Sequence, residues 1–249
     1  MLRHAGMLYA ILSDVHANLD ALEVVLADVA GSGAEQVICL GDFVGYGPEP
    51  NECTERLRSV ATVALVGNHD LAALDRLDAG RFNLFARLAV EWTKLQLEES
   101  IRHYLESLPA TREYGGLLLV HGSPRDPVEE YIMDLETADD NFRAADFEIC
   151  FFGHTHYPVW FVHDGERTRM RALAPGERAA LRGGQRHLIN VGSVGQPRDG
   201  DPRAAYCLFD SDARVVELRR LPYPIESVQQ KMRDRELPRP LWERLAEGR

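Results

Sequence analysis

Five short apolar runs, each followed at once by residues suited to holding a metal ion, constrain this chain more than any other feature of its sequence. Leu8–Leu12 leads into Ser13, Asp14, Val15 and His16; Val37–Leu40 leads into Gly41 and Asp42. Val63–Val66 leads into Gly67, Asn68, His69 and Asp70, Leu117–Val120 into His121 and Gly122, and Ile149–Phe152 into Gly153, His154, Thr155 and His156. A continuous apolar run of this length is the signature of a strand covered on both faces. In open α/β sheets ligands bind beyond the carboxyl ends of the strands. Five strands delivering Asp, Asn and His to such an edge would bring them to one spot.

The spacing of the first three runs is that of consecutive β-α-β units. Asn18 offers a helix N-cap, Leu19, Leu22, Leu26 and Val29 recur at helical spacing, and Gly31-Ser32-Gly33 stops the helix. A second helix over 51–60 follows, and the β-α-β-α-β order predicts parallel pairing with right-handed crossovers. Residues 71–108 read as mostly helical, ending at Leu108-Pro109. Strands are then expected at 116–120, 148–152, 159–163, 187–191, 205–209 and 215–218. The stretch 167–185, rich in Arg, Ala and Gly without clear periodicity, reads as an exposed insertion or hairpin, and 225–233 as a helix. With no internal repeat and no low-complexity linker, residues 1–249 are read as one domain.

Bulk properties narrow the functions. The chain is 45% hydrophobic and 27% charged, enough apolar material for a large core. No apolar run approaches the roughly 20 residues of a membrane-spanning helix, and Met7–Leu12 is too short for a signal-peptide core. A formal charge of −11 argues against non-specific binding to nucleic acid or to an anionic membrane. It does not exclude an anionic substrate, because carboxylates that hold metal ions enter that sum. Cys39, Cys53, Cys150 and Cys207 form no Cys-x-x-Cys pair and read as inert thiols; with the missing signal peptide they predict a reducing, cytoplasmic setting.

Mixed carboxylate, imidazole and amide donors suit borderline divalent ions, Mn, Fe, Co, Ni or Zn, rather than calcium or a Cys-rich structural zinc. In Asp14-x-His16 and His154-x-His156 an extended backbone would point both side chains the same way. Gly41, Gly67 and Gly153, just before Asp42, Asn68 and His154, would permit a sharp turn and close backbone approach. Taken singly, an Asp or Asn past a strand is usually a turn or cap residue, and a lone His is usually structural. Five such signals in order, each at a strand end, are not explained by turns.

The ordered set Ser-Asp-x-His, Gly-Asp, Gly-Asn-His-Asp, His-Gly and Gly-His-Thr-His resembles the calcineurin-like metallophosphoesterase superfamily. Residues 41–48, 121–127 and 190–198 resemble its compact bacterial and archaeal branch related to the YfcE-type phosphodiesterases. The resemblance implies a four-layer α/β/β/α sandwich of two mixed β-sheets flanked by helices. It implies two divalent metal ions, one held by Asp14, His16 and His156, the other by Asn68, His121 and His154, with Asp42 bridging both. His69 would act as general acid or charge donor near the leaving group, with Asp70 orienting its ring. The reaction would be attack on phosphorus by a hydroxide held between the ions. Expected substrates are small phosphoesters or nucleotides: diesters or monoesters, with dinucleoside polyphosphates and phosphoproteins as alternatives. The intact ligand set speaks against a non-catalytic scaffold, and the acidic balance against long nucleic acid. Arg198, after a Gly/Ser-rich turn, and Arg125 and Tyr46, on loops after ligand-bearing strands, are candidate substrate contacts. Asn18 reads as a helix cap and Ser193 as a turn residue. His4, His103, His163 and His187 lack motif context.

Overall fold

The computed structural model describes residues 6–249, so His4 lies outside the described residues. Twelve strands, β1 to β12, run Leu8–Leu12, Gln36–Cys39, Val63–Ala64, Thr111–Tyr114, Leu117–Val120, Ile149–Phe152, Val159–His163, Thr168–Ala172, Arg178–Ala180, Arg186–Asn190, Ala204–Asp210 and Val215–Leu221. Among the described residues the α-helices are eight, α1 to α8: Leu19–Ser32, Pro50–Val60, Asn68–Ala73, Leu84–Gln96, Glu99–Glu106, Leu135–Ala144, Ile225–Asp234 and Arg239–Glu243. The strands form two six-stranded mixed sheets, ordered β3-β2-β1-β11-β12-β9 and β4-β5-β6-β10-β7-β8. The expected β-α-β-α-β start is present: β1 pairs parallel with β2, and β2 with β3.

Alternation along each strand builds the layers. In β1, Tyr9 and Ile11 join Ile38, Leu119, Phe151, Ile189 and Phe209 in the apolar layer between the sheets. Ala10 and Leu12 face the other way, against Leu22, Val25, Leu26 and Leu57 of α1 and α2. On the far side, Ala138 and Phe142 of α6 cover Cys150, Phe152, Phe161 and Leu188. The result is the helix–sheet–sheet–helix sandwich, and it explains why β1, β5 and β6 are apolar throughout and β2 from Val37 onwards. Each such fully buried Leu or Phe side chain contributes on the order of 1.5–3 kcal/mol.

Four local outcomes differ from the sequence reading. Strand β3 leaves its ladder early: the N–H of Leu65 still donates to Cys39, but that of Val66 turns to Pro109, carrying the chain towards Asn68. Strand β4 was not expected; Thr111–Tyr114 is polar and lies at a sheet edge, joined to β5 by the left-handed pair Gly115-Gly116. Helix α6 was also not expected, although Asp134 caps it by accepting from the N–H of Thr137 at 2.8 Å. Finally, 167–185 does not stand apart as an insertion. Its strands β8 and β9 are the edge strands of the two sheets, one each, and exposed Arg side chains on such edges discourage further strand pairing.

Candidate metal centre

All five ligand-bearing turns lie at one end of the two sheets. Sheet one supplies Asp14, His16, Asp42 and Asn68 after β1, β2 and β3; sheet two supplies His121, His154 and His156 after β5 and β6. The backbone there is not extended. Asp14, His16, Asp42, His154 and His156 all have left-handed φ, between 48° and 65°. Side chains rarely adopt this region, at a cost of order 1–3 kcal/mol each. Convergence of Asp14 with His16, and of His154 with His156, therefore comes from tight turns instead of the extended i, i+2 geometry expected. Close packing of the turns requires the glycines. A Cβ on Gly67 would lie 2.1 Å from Asp42 Oδ1, and one on Gly153 would lie 2.0 Å from Ser13 Oγ.

The turns bring together two buried trios, Asp14–His16–His156 and Asp42–His121–His154, each offering ligand atoms within 4.8 Å of one another. Asp42 lies between them: its Oδ2 is 3.5 Å from His16 Nε2 and 3.4 Å from His121 Nε2. Asn68 joins the second trio, with Oδ1 3.1 Å from His121 Nε2.

The donor set fits cations by a hydrogen-bond argument. One nitrogen of each ring faces a backbone carbonyl: His16 Nδ1 that of Val44, His121 Nδ1 that of Leu40, His156 Nδ1 that of Gln196 and His154 Nε2 that of Glu129, at 2.5–3.1 Å. Donation to those carbonyls leaves a lone pair on the nitrogen that faces the centre. His16 Nε2 then meets His156 Nε2 at 3.1 Å, acceptor against acceptor, while the His121 ring, held protonated by Asp42, instead donates from Nε2 to Asn68 Oδ1 until a cation displaces that proton. Asp14 Oδ1 and Asp42 Oδ2 are buried without a hydrogen-bond partner. Such crowding of lone pairs is stable around positive charge. The chain's own electrostatics agree: burial would lower the His121 imidazole, but Asp42 lifts it to about 9. Burial drives His16 well below its usual range and His154 down to about 3.

His69 lies beside this centre. Its backbone N–H donates to Asp42 Oδ1 at 2.9 Å, and its ring is flanked by Tyr46 and Phe82 at 4.5 and 4.8 Å between centroids. Burial lowers it to about 4. Asp70 does not orient that ring. Its two oxygens accept from the backbone N–H groups of Val44 and Gly67, at 3.1 and 2.9 Å. It pins the Asp42 turn to the Asn68 turn, because a carboxylate at the third position of α3 reaches the open N–H groups at that helix start.

A cavity of about 280 Å³ opens beside the second trio, lined by Asn68 and His154 together with Tyr46, His69 and Arg198. Arg198 donates to Tyr46 Oη and Gln196 Oε1, at 3.2 and 3.1 Å. Arg125 does not reach the cavity; its guanidinium is tied to Glu130 and Asp140 on the outer surface. An arginine on a loop was too weak a signal to separate these two. The cavity also takes in Arg81, Phe82, Glu129 and Tyr131, which sequence reasoning missed because no motif marks them. Asn18 caps α1 through Ala21 and also donates to Gly195, and Ser193 donates to the carbonyl of Asp14, a turn role.

The description "Calcineurin-like phosphoesterase superfamily domain" matches residues 7–214. An uncharacterized protein of Methanocaldococcus jannaschii is 38% identical over 245 residues, covering 96% of this chain and 98% of that one. The phosphodiesterase YfcE of Escherichia coli is 28% identical over 214 residues, 82% of this chain and 88% of its own. A solved metallophosphoesterase from Sphaerobacter thermophilus is 44% identical with a TM-score of 0.90, covering 98% of this chain and all of that one. A Pyrococcus horikoshii protein of 19% identity and TM-score 0.78, over 97% of this chain and 98% of its own, shares the fold. Among the described residues no helix is long and apolar enough to cross a membrane.

Proposed function

This chain belongs to the calcineurin-like phosphoesterase superfamily, and from that premise we propose that it hydrolyses phosphodiesters with two divalent metal ions. Asp14, His16 and His156 hold one ion, Asn68, His121 and His154 the other, and Asp42 reaches both. The observation that carries this reading is the acceptor-to-acceptor contact of His16 Nε2 with His156 Nε2 at 3.1 Å, beside the unpartnered Asp14 Oδ1 and Asp42 Oδ2, which positive charge among them would relieve. When bound, the ions lower the pKa of a shared water towards ~7 and polarise the phosphoryl oxygens. Mn, Fe, Co, Ni and Zn all suit the donors.

The remaining work falls to the chain. Arg198, whose Nε is buried without a partner, meets a phosphoryl oxygen and orients the ester. The Nδ1 edge of His69 packs on Gly45, where a Cβ would lie 2.5 Å away, so the Nε2 edge is left for substrate. Burial alone keeps the ring neutral; the anionic phosphoryl group at that edge raises its pKa, and the protonated ring then donates its proton to the departing oxygen. The Tyr46 and Phe82 rings exclude water from that transfer, which strengthens the hydrogen bond. Asp70 is a positioning residue, fixing the turn that carries Asp42 and the start of α3.

The experiment is a panel of phosphomonoesters, linear diesters, cyclic nucleotides and dinucleoside polyphosphates, given to chelated protein with each metal restored. Diester turnover that returns with metal supports the reading. Metal-loaded protein without turnover on any phosphoester overturns it.

A further inference from the structure

The lining of the cavity over His69 and His154 is uneven in charge and in shape. Arg81 is neutralised by Glu129 at 2.9 Å. Arg198 is then the cation of the lining that no carboxylate meets among the described residues, its Nη2 bonding only to neutral oxygens. One spare positive charge suits the single negative charge of a phosphodiester. The walls are aromatic. Tyr46 and Phe82 flank His69, and Tyr131 stacks on His154 with centroids 3.9 Å apart and planes 20° from parallel.

Tyr131 is the informative residue. One face of its ring covers His154, yet the residue stays 47% exposed, so the opposite face is open. Its hydroxyl lies near the same Arg198 guanidinium. A ring held flat between a candidate metal ligand and open space is a platform on which a second ring can stack in an offset arrangement. The volume of about 280 Å³ is of the size of a phosphoryl group with one ring system.

We propose that Tyr131 is a stacking platform that selects phosphoesters carrying a flat ring, either an aryl group or a nucleobase. This rests on the reading of the metal centre as a phosphoesterase site. The phosphoryl group lies at the metals with Arg198 on one oxygen, and the ring lies on the open face of Tyr131.

The test compares inhibition constants for ligands matched in charge, using metal-loaded protein and a chromogenic phosphodiester. Phenylphosphonate is set against methylphosphonate, and adenosine 5′-monophosphate against ribose 5-phosphate. At least one ring-bearing ligand binds about tenfold or more tightly than its ringless partner, the size expected of a single stacked ring. Tyr131→Ala brings that ratio near one and Tyr131→Phe keeps it. The pair that shows the ratio identifies an aryl or a nucleoside source. Ratios near one for both pairs in the unaltered protein, or a ratio that survives Tyr131→Ala, overturn the platform while leaving the phosphoesterase reading intact. Absence of both turnover and inhibition overturns the two together.

Discussion

At the residue scale the centre, as proposed, would separate side chains that hold charge from one that moves a proton. His69 is closed in by Tyr46, Phe82 and the Gly45 backbone, and makes only a main-chain bond to Asp42. Removing its ring leaves every candidate ligand atom in place. His69→Ala is therefore expected to lower kcat by about 10²- to 10⁴-fold, the usual contribution of a positioned acid, with metal content unchanged. Metal analysis alongside turnover checks this, and loss of metal would show that His69 is instead a ligand.

At the element scale the ligand turns depend on backbones packed too closely for a methyl group. Gly67→Ala would press its Cβ against the Asp42 carboxylate and N–H, at 2.1 and 2.5 Å. It is expected to destabilise the fold by at least about 1–3 kcal/mol, as overpacking does. Gly183, with nothing within 4 Å of the added atom, should tolerate the same change within about 0.5 kcal/mol. Denaturant midpoints of the two variants compare them directly. The same turns show how far the sequence could be read. Buried strands were legible because both faces need apolar side chains, and the candidate ligands stood out because each follows such a strand. The left-handed turns were not, since nothing in Asp-x-His or His-x-His distinguishes a tight turn from extended chain. Edge strand β4 was hidden by its polar residues, though Gly115-Gly116 is a hairpin signal. Cavity residues such as Tyr131 and Arg81 come from loops far apart in sequence, and only folding brings them together.

At the scale of the whole molecule the centre straddles the seam between the two sheets. Asp14, His16, Asp42 and Asn68 come from one sheet, and His121, His154 and His156 from the other. Metal ions bound there would tie the sheets together, and binding that favours the folded state raises its stability. Chelation is expected to lower Tm by about 5–10 °C, taking about 2–3 kcal/mol of binding linkage and a chain of this size. Calorimetric scans before and after chelation, with metal restored, measure the shift.

The left-handed conformations of Asp14, His16, Asp42, His154 and His156 bear on how such a chain evolves. Glycine and asparagine are the residues that this backbone accepts most readily. A change of His16 or His156 to glycine would remove one donor, relax one turn and separate two facing lone pairs in a single step. Stability and chemistry thus point in opposite directions at these positions. A sandwich made firmer by such a change would have lost a donor from the centre it carries.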